Sequence, residues 1–87
     1  MELRADYRDA WLDLATVYRT ERRYPEAVEL AHLSLERGPQ GQELQLNYFL
    51  LADLYNRLGN TERELEFAEL GRRVAAGGKQ KIVQLQL

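Results

Sequence analysis

The residue types that carry out most enzymatic chemistry are scarce in this chain of 87 residues. It contains one histidine, His32, and no cysteine. A histidine-based catalytic triad, or a zinc site built from several histidines and cysteines, therefore cannot form within one chain. Asp9 and Asp13 lie four residues apart and would share a helix face. No neighbouring group is placed to hold a substrate beside them, which favours a solvated acidic surface. We expect a protein without a catalytic residue, a metal or a cofactor.

The amino-acid composition is typical of one small domain. Hydrophobic residues make up 45% of the chain and charged residues 30%, which suits a modest core covered by charged helix surfaces. The net charge of −2 argues against a nucleic-acid-binding surface, which normally carries a basic field. The first residues lack the basic and apolar segments of a signal peptide, and no apolar run approaches the roughly 20 residues of a membrane span. The composition predicts a single cytoplasmic domain that binds neither nucleic acid nor membrane.

Hydrophobic spacing and turn residues predict four helices. The predicted helices cover about residues 6–22, 25–37, 42–58 and 61–76. Along the first, an apolar stripe recurs at helical spacing: Tyr7, Trp11, Leu14 and Tyr18. Glycine marks the ends of the other three, at Gly38-Pro39, Gly59-Asn60 and Gly77-Gly78. Thr61 and Glu64 match the Ser/Thr-x-x-Glu capping box at the start of the fourth helix.

One helical pattern occurs twice in the chain. The segments Trp11–Tyr18 (WLDLATVY) and Tyr48–Tyr55 (YFLLADLY) each read aromatic, two residues, Leu-Ala, two residues, Tyr. The aromatic residue, the leucine and the tyrosine fall on one helix face. A helical segment repeated after a few tens of residues is typical of stacked helix pairs, because one pair cannot bury its own apolar face. The repeat therefore predicts an all-α fold of two stacked antiparallel helix pairs.

This pattern resembles the tetratricopeptide repeat (TPR) family, whose repeat reads W-x2-L-G-x2-Y, then A-x3-F, then P. The matching positions of the first copy are Trp11, Leu14, Ala15, Tyr18, Ala27, Ser34 and Pro39. Ala31 falls where the family has an aromatic residue, so that position is reduced in size. Those of the second copy are Tyr48, Leu51, Ala52, Tyr55 and Gly59. Glu64 departs from the pattern, because the family has a small residue there. The resemblance implies an α-solenoid, with repeat one at about 8–41, repeat two at about 45–78 and a tail at 79–87.

The tail is in phase with the beginning of a third repeat, since Ile82 lies 34 residues after Tyr48. We expect it to form a short capping or truncated helix. Its apolar residues also alternate with glutamines, which leaves a strand as the alternative. A helical tail would either fold back on its own stack or cross to a second chain.

In the TPR family, the first helices of the repeats line a concave groove that holds a peptide. By repeat phase, the resemblance implies that six residues face this groove: Leu12, Thr16, Arg19, Phe49, Asp53 and Asn56. Chaperone-binding members clamp a C-terminal carboxylate with Lys and Asn, and Leu12 and Thr16 occupy those positions here, so we do not expect a chaperone-tail role. The resemblance implies a non-catalytic module that binds a protein or peptide of unknown identity in the groove. The alternative is a self-associating structural module, a homodimer formed through the open end of the helical stack.

Overall fold

The computed structural model describes the backbone of residues 10–86 and the side chains of residues 10–77. This part of the chain folds into four helices and contains no strand. They are α1 (Trp11–Thr20), α2 (Tyr24–Glu36), α3 (Gly41–Arg57) and α4 (Thr61–Gln86). Helix α1 packs on α2, α3 packs most extensively on α4, and α2 joins the two pairs by packing on α3. The predicted all-α fold with paired helices is confirmed.

The turns within the two helix pairs have the same geometry. After α1, Arg22 has a positive φ of 64°, and after α3, Gly59 has a φ of 81°. In the first turn, the amide of Arg23 donates to the carbonyl of Tyr18, and in the second the amide of Asn60 donates to Tyr55, each at 2.9 Å. Both are Schellman motifs, in which a left-handed residue lets the chain satisfy the last carbonyls of a helix. The two turns lie 37 residues apart, the same interval that separates Trp11 from Tyr48.

Small side chains form much of the core and allow the helices to approach closely. Four alanines are buried with two leucines and one phenylalanine: Ala15, Ala27, Ala31, Ala52, Leu51, Leu54 and Phe67. Ser34 is also buried. Ala15, Ala27, Ala52 and Ser34 are small positions of the repeated pattern, and Ala31 stands where that pattern has an aromatic residue. The tyrosines of the pattern, Tyr18, Tyr48 and Tyr55, are partly buried around the core.

The apolar stripe of α1 is less buried than its spacing predicts. Trp11 is only partly buried and is not among the described residues that pack against the core cluster. Leu14 is 37% exposed. The reason is positional: α1 contacts α2 and only a few residues of α3, so no described helix covers its outer side.

Helix α4 is longer than predicted. It continues through Gly77-Gly78 to Gln86, so these glycines do not end it and residues 79–86 are not a separate short helix. Gly77 lacks the left-handed conformation that ends a helix. A glycine inside a helix costs about 1 kcal/mol relative to alanine, which weakens a helix without forbidding it. Because no turn interrupts α4, the tail backbone does not fold back on its own stack. The predicted packing of the tail side chains lies outside the described residues.

The cap of α4 also differs from the prediction. Asn60, not Thr61, is the capping residue, because its Oδ1 accepts a hydrogen bond of 3.1 Å from the backbone N–H of Arg63. Thr61 is the first residue of the helix. Asparagine is among the best residues at this position, since its side chain satisfies an amide that has no partner within the helix. The predicted capping box is therefore wrong by one residue.

Within the described residues, no helix combines the length and the apolar character needed to cross a membrane. The cytoplasmic location expected from the sequence stays a prediction.

Candidate functional site

An open groove of about 340 Å³ lies between α1 and α3. Five of the six residues that the repeat phase assigns to a groove line it: Leu12, Thr16, Arg19, Phe49 and Asp53. Three further residues complete the lining: Asp13, Leu46 and Leu50. We call this surface the α1–α3 groove. Asp13 looked like part of a solvated acidic face in the sequence. Leu46 and Leu50 are leucines of α3 that the repeat phase does not assign to a groove.

The apolar part of the groove is formed by Leu12, Leu46, Phe49 and Leu50. Leu46 is 54% exposed, so its side chain is available to a ligand and contributes little to the core. The ring of Phe49 lies against α4 at Gly71. A Cβ atom added to Gly71 would come within 2.7 Å of Phe49 Cε1, which is closer than such atoms approach. The absence of a side chain at position 71 therefore sets where the Phe49 ring lies.

An ion pair joins the two helices at the polar end of the groove. Arg19 Nη1 of α1 lies 2.9 Å from Asp53 Oδ2 of α3, and Arg57 Nε lies 3.2 Å from the same oxygen. Partial burial opposes ionisation of Asp53, but the hydrogen bonds from Arg19 and Arg57 outweigh it and lower the pKa of this carboxyl. Asp53 is therefore a carboxylate whose charge is compensated, and it fixes both guanidinium groups.

Two predicted groove residues use their polar groups within the fold. The Thr16 hydroxyl donates a hydrogen bond of 3.0 Å to the carbonyl of Leu12 in its own helix. Asn56 does not line the α1–α3 groove, because its Nδ2 donates to Glu64 Oε1 at 3.2 Å and so faces the start of α4. Glu64 was expected to accept a bond from a backbone amide in a capping box, and instead it joins α4 to α3.

A second depression of about 240 Å³ adjoins the groove at Arg19. It is lined by Arg19, Thr20, Arg22, Tyr24 and Arg57, and we call it the arginine cleft. The guanidinium of Arg57 lies 5.9 Å from the centre of the Tyr24 ring. Hydrogen bonding to Tyr24, and then to Asp53, raises the pKa of Arg57. In the sequence, Arg22 stands beside Arg23 and three residues after Arg19, and its place in this cleft follows from the turn.

The single histidine has a structural environment. His32 Nε2 lies 3.0 Å from the Tyr55 hydroxyl, and its ring meets Phe67 edge-on with 5.7 Å between centres. Burial lowers the pKa of His32, and the nearby charge of Arg63 lowers it further. In the part of the chain that the structure describes, no group of acidic, histidine or cysteine side chains is arranged to hold a metal ion.

The outer side of α1 carries an apolar hollow of about 310 Å³, lined by Ala10, Leu14 and Val17 with Asp13 at its edge. Val17 is 48% exposed. Apolar side chains exposed together, rather than singly, are a feature of surfaces that contact other proteins.

Comparisons with known proteins identify no relative of this chain. No protein-family model, no curated protein and no solved structure matches it. Its function must therefore be inferred from its own surfaces.

Proposed function

We propose that this protein is a non-catalytic interaction module of the tetratricopeptide repeat type that binds a peptide segment in the α1–α3 groove. One observation carries the proposal. Residues from two helices that are far apart in the sequence converge on one open groove, which has an apolar part and a charged end. Among the described residues that line the groove, no group of side chains is arranged to hold a metal ion.

The recurring geometry supports the assignment to a repeat array. The two first-helix motifs and the two Schellman turns both recur at an interval of 37 residues. The helices also pack on their neighbours in sequence order, α1 on α2, α2 on α3 and α3 on α4. Stacking of this kind, in which each unit contacts its neighbour, is how solenoid proteins build a continuous core.

The shape of the groove favours an extended peptide as the ligand. The groove is an open surface between two helices rather than an enclosed cavity of the kind that surrounds most small-molecule ligands. Apolar side chains of a peptide would pack on Leu12, Leu46 and Leu50. The paired charges of Arg19 and Asp53 would orient polar groups of the same peptide.

Peptide selection followed by a matched pair of leucine variants tests the proposal. A phage-displayed library of random twelve-residue peptides is selected on the intact chain, and enriched peptides are measured by fluorescence anisotropy. Leu46→Ser removes an apolar side chain of the groove, and Leu65→Ser removes one that is 60% exposed on α4, outside the groove. We expect Leu46→Ser to weaken binding by about fivefold, the effect of losing contact with roughly half a leucine side chain. Leu65→Ser should leave the affinity unchanged.

Two outcomes would overturn the proposal. The first is that no peptide is enriched. The second is that enriched peptides bind the Leu46→Ser variant and the parent equally well while circular dichroism shows both proteins folded.

A second candidate function is self-association, and the apolar hollow at Ala10, Leu14 and Val17 favours it. Packing of this hollow against another copy would cover the outer side of α1. Sedimentation equilibrium tests it: a dimer that Val17→Ser dissociates and Leu65→Ser does not would support this function. A monomer at all concentrations would exclude it.

A further inference from the structure

The arginine cleft and the α1–α3 groove form one continuous surface, because Arg19 lines both. A peptide lying in the groove and continuing past the polar end would place its next residues over Thr20, Arg22 and Arg57. The chemistry of the cleft therefore bears on which peptides the groove accepts.

Of the three arginines that line this cleft, Arg22 is the one whose charge has no partner among the described residues. Asp53 binds both Arg19 and Arg57. The nearest acidic residues in the sequence, Glu21 and Glu26, pair with Arg23. Within the described residues, the Arg22 side chain makes no hydrogen bond or ion pair, and it is exposed to solvent.

The backbone of Arg22 gives a second, independent reason to examine this residue. Its φ of 64° lies in the left-handed region, where a side chain is strained and glycine is not. The equivalent turn after α3 uses Gly59 at a φ of 81°. An arginine thus occupies a position at which glycine would serve the turn better. Strained residues of this kind occur preferentially at binding sites.

We propose that the arginine cleft binds an acidic side chain of the peptide whose apolar residues occupy the α1–α3 groove. This inference rests on the proposed function. Three guanidinium groups line the cleft, and one neighbouring carboxylate, Asp53, pairs with two of them, so the cleft has an excess of positive charge. A guanidinium presents two parallel N–H donors that match the two oxygens of a carboxylate. Arg22 makes this bond, and Arg19 and Arg57 supply the surrounding positive potential.

Three matched sets of synthetic peptides test the inference. Each peptide has twelve residues, with leucine and phenylalanine alternating with serine at one end and three identical residues, Glu, Gln or Lys, at the other. Both orders are made, so that either direction of the peptide in the groove is covered. Binding to the intact chain is measured by fluorescence anisotropy at low and at physiological salt.

Paired charge-removing variants isolate the role of Arg22. Arg22→Gln and Arg73→Gln each remove one positive charge, and Arg73 lies on α4, outside both the groove and the cleft. Arg22→Gly removes the same charge while relieving the backbone strain. It should therefore keep or raise the melting temperature, which separates loss of binding from loss of folding.

The parent should bind the Glu peptides about fivefold more tightly than the Gln peptides, a difference typical of one or two exposed ion pairs. This preference should disappear in Arg22→Gln and Arg22→Gly, persist in Arg73→Gln, and decrease as salt is added. If the Glu and Gln peptides bind the parent equally well and Leu46→Ser weakens the binding of both, this inference is overturned and the proposed function remains intact. A preference for the Lys peptides would also overturn it and would point to Asp13. If no set binds, the inference fails together with the peptide-binding proposal.

Discussion

Adding one methyl group at Gly71 should displace the ring of Phe49 toward the α1–α3 groove. In the Gly71→Ala variant, the new Cβ would lie 2.7, 2.9 and 3.0 Å from Phe49 Cε1, Cδ1 and Cζ. All three distances are well below normal carbon–carbon contact, which begins near 3.5 Å. The ring must therefore move, and the groove is the open space beside it.

The expected change in stability is the difference between two opposing effects. Overpacking a well-filled contact costs about 1–3 kcal/mol. Replacing a glycine inside a helix by alanine gains about 1 kcal/mol. The Gly71→Ala variant should therefore be destabilised by between about 0 and 2 kcal/mol. Gly77→Ala is the matched control, since Gly77 lies in the same helix and no atom lies within 4 Å of its added Cβ. The control should gain up to about 1 kcal/mol.

Urea unfolding followed by circular dichroism measures both variants, and their difference isolates the overpacking effect because the gain in helix propensity is common to both. We expect Gly71→Ala to be less stable than Gly77→Ala by about 1–3 kcal/mol, or roughly 4–24 °C in melting temperature for a chain of this size. Gly71→Ala should also weaken binding of any peptide selected on the parent. Equal stabilisation by the two substitutions would refute the contact between Phe49 and Gly71, and with it the position of the ring in the groove.

Three further predictions concern the fold. Because burial lowers the pKa of His32, the unfolded chain binds this proton more readily than the folded chain. The contribution of His32 to the free energy of unfolding should be complete above pH of about 6.5 and should decrease as the pH falls toward the lower pKa of the folded state. The free energy of unfolding of His32→Gln, measured in urea, should lack this pH dependence. In the same assay, Asn60→Ala should lower the free energy of unfolding by about 1 kcal/mol and Thr61→Ala by much less, because Asn60 caps α4. Equal losses would instead support the capping box at Thr61 and Glu64. Leu54→Ala should cost about 2–5 kcal/mol because Leu54 is fully buried, and Leu14→Ala should cost far less. A similar cost for both leucines would contradict the exposed position of α1's apolar stripe.

Several features of the fold could be predicted from the sequence because their causes are local. Apolar spacing and turn chemistry act over a few residues, so the existence and type of the first three helices and the turns at Gly38 and Gly59 were predictable. The recurrence of Trp11–Tyr18 at Tyr48–Tyr55 marked two of the positions where small residues are buried, Ala15 and Ala52. Five of the residues that the TPR resemblance implied for a groove line the α1–α3 groove, and their role in binding stays a prediction.

Local signals failed where several outcomes have nearly equal free energy. Gly77-Gly78 is compatible with either a helix end or a helix interior, and the difference of about 1 kcal/mol per glycine is too small for the pair alone to decide. The cap of α4 could be Asn60 or Thr61, since both residue types serve well at that position, and the geometry of the turn selects the first.

The sequence by itself determined a helical chain with a repeated motif, one histidine and no cysteine. Only the tertiary structure decided which charges meet. The pairing of Arg19 with Asp53 across 34 residues and the packing of Phe49 on Gly71 both depend on how α1, α3 and α4 are placed relative to one another. Such contacts join residues distant in the chain, and their distances are set by the packing of whole helices rather than by any local pattern.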